Sequence, residues 1–155
     1  MKEEQSEVYE RLMAAGIRFV SFRPRSEKEI LDFLHKKLSK SHTTAPKVLD
    51  QVIIRLRELG YVDDEKFAAW WVDQRTGRKP KGKRVIEQEL KQKGIEADIR
   101  IDEKTLAVRA IQKKLPVWKI LPLLKRKKKI SEYLYRRGFD WNVIGRVVDE
   151  VLEIE

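Results

Sequence analysis

Apolar positions recur along this chain at helical spacing, in segments set apart by glycine, proline or short polar runs. Residues 6–22 predict a helix with Val8, Leu12, Ala15, Phe19 and Phe22 on one face. Gly16 sits inside it at a cost of about 1 kcal/mol relative to alanine, and Pro24 ends it. Ser26 and Glu29 then form a capping box for a second helix, whose apolar face is Ile30, Leu31, Leu34 and Leu38. The polar run from Ser39 to Thr44 reads as a loop. Pro46 suits the first turn of a third helix carrying Val48, Val52, Leu56 and Leu59.

Gly60 fits the left-handed position just past a helix end. Asp63 is a good N-cap for a fourth helix over 63–76, with Val62 and Phe67 at the hydrophobic-staple positions. Phe67, Trp70, Trp71 and Gln74 share one face. A fifth helix spans 83–93 and Gly94 stops it. A short sixth over 96–101 runs into a seventh over 103–115, which Pro116 ends. The eighth covers about 119–137, with Leu123, Leu124, Ile130 and Leu134 on its apolar side. The ninth, capped by Asp140, holds Trp141, Ile144, Val147, Val148 and Val151. The pattern repeats: Leu90-x-x-Lys93-Gly94-Ile95 matches Leu134-x-x-Arg137-Gly138-Phe139, with Leu34-x-x-Lys37-Leu38 as a weaker counterpart. One three-helix unit buries little by itself, so the reading is an all-α array of three stacked three-helix repeats: 1–60, 61–103 (with a basic loop at 75–84) and 104–155 (with a basic helix).

Composition adds a strong charge signal. Among 155 residues, 35 are Lys or Arg and 25 are Asp or Glu, a formal net charge of +10. A polyanion or an acidic protein face is the expected partner. The absence of cysteine removes disulfides and thiolate chemistry and fits a reducing cytoplasm. The start, Met1-Lys2-Glu3-Glu4-Gln5, lacks the apolar core of a signal peptide, and no apolar run is long enough to span a membrane.

The positive charge falls in two clusters. Arg75 to Arg84 contains Arg75, Arg78, Lys79, Lys81, Lys83 and Arg84 and no acid. Gly77, Pro80 and Gly82 make it a loop that can reach phosphates. Gly77-x-x-x-x-Gly82-Lys83 matches most of a phosphate-binding loop, but Arg84 stands where a magnesium-ligating hydroxyl is needed, and a helix precedes it where a strand is required. The second cluster, Lys113 to Arg137, contains Lys125, Arg126, Lys127, Lys128, Lys129, Arg136 and Arg137, with Lys113, Lys114 and Lys119, against only Glu132. Lys127 falls on the Leu123–Ile130–Leu134 face, so it must snorkel or that part of the helix must project beyond the bundle. A solvated linker and a solubilising helix face are the plain alternatives.

Other chemistry is thin. Helical spacing places Trp70, Trp71 and Trp141 in the core, while Trp118, beside Pro116, is the candidate for exposure. Asp63-Asp64-Glu65 is explained by capping and the helix dipole better than by a metal. His35 and His42 are isolated. No catalytic set and no cofactor loop occur, so neither enzyme activity, nor a metal, nor a cofactor is expected.

The stretch 60–95 also resembles a known family. Tyr61-x-Asp63-Asp64-x-x-Phe67-Ala68, the basic glycine-containing loop and Glu89-Leu90-x-x-Lys93-Gly94-Ile95 are similar to the pattern of RecX, the bacterial regulator of the RecA recombinase. Arg23-Pro24-Arg25-Ser26-Glu27-x-Glu29-Ile30 resembles the family's first-repeat entry, and Leu134-x-x-Arg137-Gly138-Phe139 its last-repeat turn. The resemblance implies three tandem three-helix repeats in an elongated, curved molecule. It also implies a monomeric cytoplasmic modulator, mainly negative, of the RecA–single-stranded DNA filament, suppressing ATP hydrolysis and strand exchange in recombination, repair and the SOS response. Charge clustering nominates the thirteen cations of the two clusters' cores as RecA or DNA contacts. The alternative is a basic helical protein that binds DNA, single-stranded or duplex, by itself.

Overall fold

The computed structural model describes residues 2–41 and 45–153, and every regular element in them is helical. The helices are α1 (Lys2–Phe22), α2 (Glu27–Lys40), α3 (Pro46–Glu58), α4 (Asp64–Arg75), α5 (Lys83–Gln92), α6 (Glu103–Ile111), α7 (Leu115–Trp118), α8 (Leu123–Arg136) and α9 (Trp141–Glu153). His42 and the 42–44 part of the expected loop lie outside the described residues. The chain divides into two compact units, Met1–Trp70 with Lys93–Ile95 and Trp71–Gln92 with Glu96–Glu155.

In the first unit, Leu12, Ile30, Leu34, Val48, Val52 and Leu56 close a core among α1, α2 and α3. A Cβ on Gly16 would meet Leu56 Cδ1 at 3.0 Å. The glycine inside α1 therefore lets α1 and α3 approach closely, a packing role that its helix-propensity cost alone does not suggest. The expected caps form. Ser26 is buried and accepts from the Glu29 amide, while Glu29 accepts from the Ser26 amide. Asp63 Oδ1 accepts from the Lys66 amide at 3.1 Å. Asp64 adds a long-range cap, accepting from the Glu27 amide at the start of α2 at 2.9 Å. Burial raises the Glu29 carboxyl's affinity for its proton, but the hydrogen bond from Arg23, the Ser26 amide and nearby Lys93 outweigh it and hold its pKa below the ordinary value.

In the second unit, Leu106, Ala107 and Ile111 of α6, Ile130 and Leu134 of α8, Phe139, and Ile144, Val147 and Val148 of α9 form a second core. Gly138 joins α8 to α9 with φ +99°, and the helix stops Gly60 and Gly94 also have positive φ. Asp140 caps α9, accepting from the Asn142 amide at 2.7 Å.

Several expectations are corrected. Residues 96–101 form no helix and no other regular element; with Asp102 capping α6 through the Thr105 amide, the helix starts there and the preceding segment serves as a connector. Helix α1 begins at Lys2, four residues before the expected start at residue 6, and α6 ends at Ile111 rather than 115. Pro116 does not terminate a helix but occupies the first turn of α7, where its missing N–H has no partner to lose. Helix α8 starts at Leu123, after Pro122, not at 119.

The exposed ends of apolar faces are the other correction. Phe22, Leu59, Leu123, Leu124 and Trp141 are exposed, at 77%, 46%, 58%, 80% and 60%. Each lies in a terminal turn or just past one. There the helix's stripe continues beyond the element it packs against, and periodicity cannot register that end.

Candidate nucleic-acid interface

The basic loop 75–84 is tightly built into the second unit. Glu89, on the inner side of α5, is its anchor. Its Oε2 accepts from Trp71 Nε1 at 2.8 Å and from Arg75 Nε at 2.7 Å, and its Oε1 from Lys81 Nζ at 2.8 Å. The Arg75 guanidinium lies over the Trp71 ring, 4.3 Å from its centroid, an arrangement that adds cation–π attraction to the ion pair. Burial pushes the Glu89 carboxyl upward, but hydrogen bonds from Lys81, Arg75 and Trp71 outweigh it and keep its pKa below the ordinary value.

The loop's backbone is held as firmly. Pro80 and Gly82 are buried. The Gly82 amide donates to the Arg137 carbonyl at 2.8 Å. A Cβ on Gly82 would lie 2.3 Å from the Gly138 carbonyl carbon, so loop backbone and turn backbone touch directly. Arg137 donates to the Lys79 and Pro80 carbonyls, and Arg109 to the Gly77 carbonyl at 2.6 Å. Lys83 pairs with Asp98 at 3.1 Å, and that hydrogen bond raises its pKa. The Lys83 amide donates to Glu103 at 2.8 Å. Arg84 Nη2 donates to the Tyr135 carbonyl at 2.7 Å. Of the loop's six cations, only Arg78 and Lys79 have exposed side chains that enter no ion pair or hydrogen bond among the described residues.

Between this loop and the α6–α7 segment lies an open cleft of about 900 Å³. Its cations are Arg75, Arg78, Lys79, Lys81, Arg109, Lys113, Lys114 and Arg137, and no acidic side chain lines it. The structure thus brings Arg137 and the start of the second sequence cluster to the loop. Arg109 was missed because it stands alone between apolar residues of α6, with no run to mark it.

The rest of the second cluster is elsewhere on α8. Lys125, Lys127 and Lys129 are exposed and unpaired among the described residues, and Lys128 makes only a 3.9 Å contact with Glu132. Arg136 is exposed as well. Arg126 is half-buried, its Nη2 donating to the Leu121 carbonyl at 3.4 Å. With Leu123 and Leu124 exposed too, the first half of α8 projects beyond its core, which resolves how Lys127 sits on an apolar face. The tryptophan expectations reverse: Trp118 is half-buried edge-on to Tyr133 at 5.8 Å, and Trp141 is exposed. Among the described residues no group of acids and histidines could hold a metal, and no helix is long and apolar enough to cross a membrane.

Comparison with known proteins matches two regions to family models. Residues 63–100 match the second three-helix domain of RecX and residues 102–148 the third. Among curated proteins, the chain is 34% identical to the regulatory protein RecX of Chlorobium phaeobacteroides over 142 residues, covering 88% of this chain and 90% of that one. It is 32% identical to the RecX of Oceanobacillus iheyensis, covering 96% of this chain and 56% of that one. The chain spans about half the length of several of the curated relatives it matches. The fold is similar to the crystal structure of RecX from Lactobacillus salivarius, with a TM-score of 0.79 at 21% identity over 94% of this chain and 97% of that one.

Proposed function

Because this chain belongs to the RecX family, whose members matched here are regulatory proteins, we propose that it modulates the RecA recombinase, mainly negatively, by binding the RecA–single-stranded DNA filament. The cationic cleft carries this reading. It gathers eight Lys and Arg residues with no acid on its lining, in a chain of net charge +10. Such a surface suits a phosphate backbone, where each neutralised phosphate releases counterions. Within it, Arg78, Lys79, Lys113 and Lys114 are the contacts proposed for phosphates. Arg75, Lys81 and Arg137 shape the cleft while contributing field. The projecting lysines of α8, Lys125 and Lys127 to Lys129, with Arg136, are proposed to meet the filament. Lys83, Arg84 and Arg126, spent on internal partners, serve the fold first.

The test is ATP hydrolysis by RecA preassembled on single-stranded DNA, titrated with this protein at near-physiological salt, with excess bare DNA as competitor. Inhibition at well under one molecule per RecA protomer, surviving the competitor, is the expected result. Inhibition abolished by the competitor would favour the second reading, a basic helical protein that binds DNA by itself. Reversing charge at Lys127, Lys128 and Lys129 is expected to weaken inhibition; unchanged inhibition would remove α8 from the interface.

A further inference from the structure

Resting on the reading that single-stranded DNA is part of the target, we propose that Trp141, backed by Tyr135 and Arg84, is a stacking platform for an unpaired nucleobase. The four tryptophans are not equivalent. Trp70 is half-buried against Phe67, Trp71 is bound to Glu89, and Trp118 packs edge-on to Tyr133. Trp141 alone is exposed, at 60%. Its ring lies nearly parallel to Tyr135, with centroids 4.6 Å apart and an interplanar angle of 15°. The Arg84 guanidinium lies 4.6 Å from the Tyr135 centroid. The three planar groups form a short column.

The column is held from below. Tyr135 is in the last turn of α8, Trp141 opens α9, and between them Phe139 is fully buried. Asp140 caps α9 through the Asn142 amide, and Arg84 holds the Tyr135 carbonyl. The rings therefore stand in place before any ligand arrives, so little ordering entropy remains to be lost on binding. A nucleobase would add the next layer on Trp141, as aromatic side chains stack bases in single-strand binders. Arg136, next to Tyr135 in sequence, is exposed and in no ion pair among the described residues, and is the cation that would meet an adjoining phosphate. A duplex keeps its base faces covered, so this platform selects single strands.

The experiment is fluorescence anisotropy with fluorescein-labelled oligo(dT), and with an abasic oligonucleotide of the same length. Trp141→Ala is expected to bind oligo(dT) about 5- to 150-fold more weakly, the range for losing one stacked base. Trp141→Phe should retain most of the affinity, and wild type and Trp141→Ala should bind the abasic strand equally. Equal binding of oligo(dT) by wild type and Trp141→Ala overturns the proposal. So does an equal loss on the abasic strand, or no binding of oligo(dT) by the wild type. Should Trp141→Ala misfold, photo-crosslinking of a 5-bromouracil oligonucleotide to the wild-type chain decides: crosslinks at Trp141 or Tyr135 are expected, and crosslinks confined to other sites overturn it. RecA is absent from these assays. A stacking result with no effect on RecA would thus sink the filament reading alone.

Discussion

In the loop 75–84 four of six cations are engaged within the protein, by Glu89, by Asp98 and by a carbonyl of α8, whereas in the run 125–129 the lysines stand in solvent. The two segments are about equally basic in sequence. The difference lies in what surrounds them: the loop has the half-buried Glu89 carboxylate and helix-end carbonyls within reach, and the first half of α8 has neither. A run of cations therefore does not by itself mark a binding surface. The acids and carbonyls that the fold brings near decide whether the charge is consumed or offered.

The contrast is broken most severely at the loop's backbone. Gly82→Ala would drive a Cβ to 2.3 Å from the Gly138 carbonyl and 2.4 Å from the Phe139 nitrogen. Both are main-chain atoms at the α8–α9 turn and cannot swing aside as a side-chain tip could. A loss of about 3 kcal/mol or more is expected, at the upper end of overpacking effects. Thermal denaturation by circular dichroism measures it; a melting temperature equal to wild type would mean that the loop does not seat on the turn.

Glu89→Gln is the next largest. It removes the charge that holds Arg75 and Lys81 and keeps the side chain's shape. A cost of about 1–2 kcal/mol is expected, because the donors stay while their ionised acceptor goes. The pH dependence has a definite sign. The folded pKa of Glu89 lies below the ordinary 4.5. Its contribution is therefore complete above 4.5 and is lost as pH falls through the folded value. Urea melts of the wild type should weaken with acidification below about pH 4.5, and Glu89→Gln should show a shallower fall, the remainder coming from Glu29 and Asp102, whose carboxyls are also held below their ordinary pKa. Parallel curves for the two would show that Glu89 is not the anchor of the loop.

Residue by residue, the sequence was legible where local chemistry decides. Ser26 with Glu29, Asp63 and Asp140 cap as their residue types require, and Gly60, Gly94 and Gly138 stop helices in the left-handed region. Periodicity found Leu34, Phe67, Leu134 and Val148, and the internal repeat marked Leu90, all buried. It failed where the outcome depends on how far a neighbouring element extends. Leu123 and Trp141 hold the right positions on their helix faces, at i−7 from Ile130 and i−3 from Ile144, yet both run past the core. The site was half legible. Charge found the clusters, but not that Glu89, ordinary within its motif, would consume Arg75 and Lys81. Nor did it show that Arg109, alone in α6, would complete the cleft with Lys113 and Lys114.

The smallest effect on stability is the sharpest test of the contrast. In Lys125→Ala/Lys127→Ala/Lys129→Ala, three exposed side chains are cut from the projecting half of α8. None has an ion-pair partner among the described residues, so no stabilising contact is lost. Lys125 and Lys129 stand four residues apart on one helix face, where like charges repel by about 0.2–0.5 kcal/mol, and alanine has the higher helix propensity. The triple variant should therefore melt at or slightly above the wild-type temperature. Under the proposed function, inhibition of the RecA filament should nonetheless weaken, and the salt dependence of binding to single-stranded DNA should flatten, by up to about 0.7 in slope for each phosphate contact removed. A variant that is destabilised would show the run to be part of the fold, like the loop. One that is equally stable and equally inhibitory would assign the lysines to solubility and leave the cleft as the proposed phosphate-binding surface. Higher stability together with lost binding is the pattern of a charged surface kept for a partner at the expense of the helix that carries it.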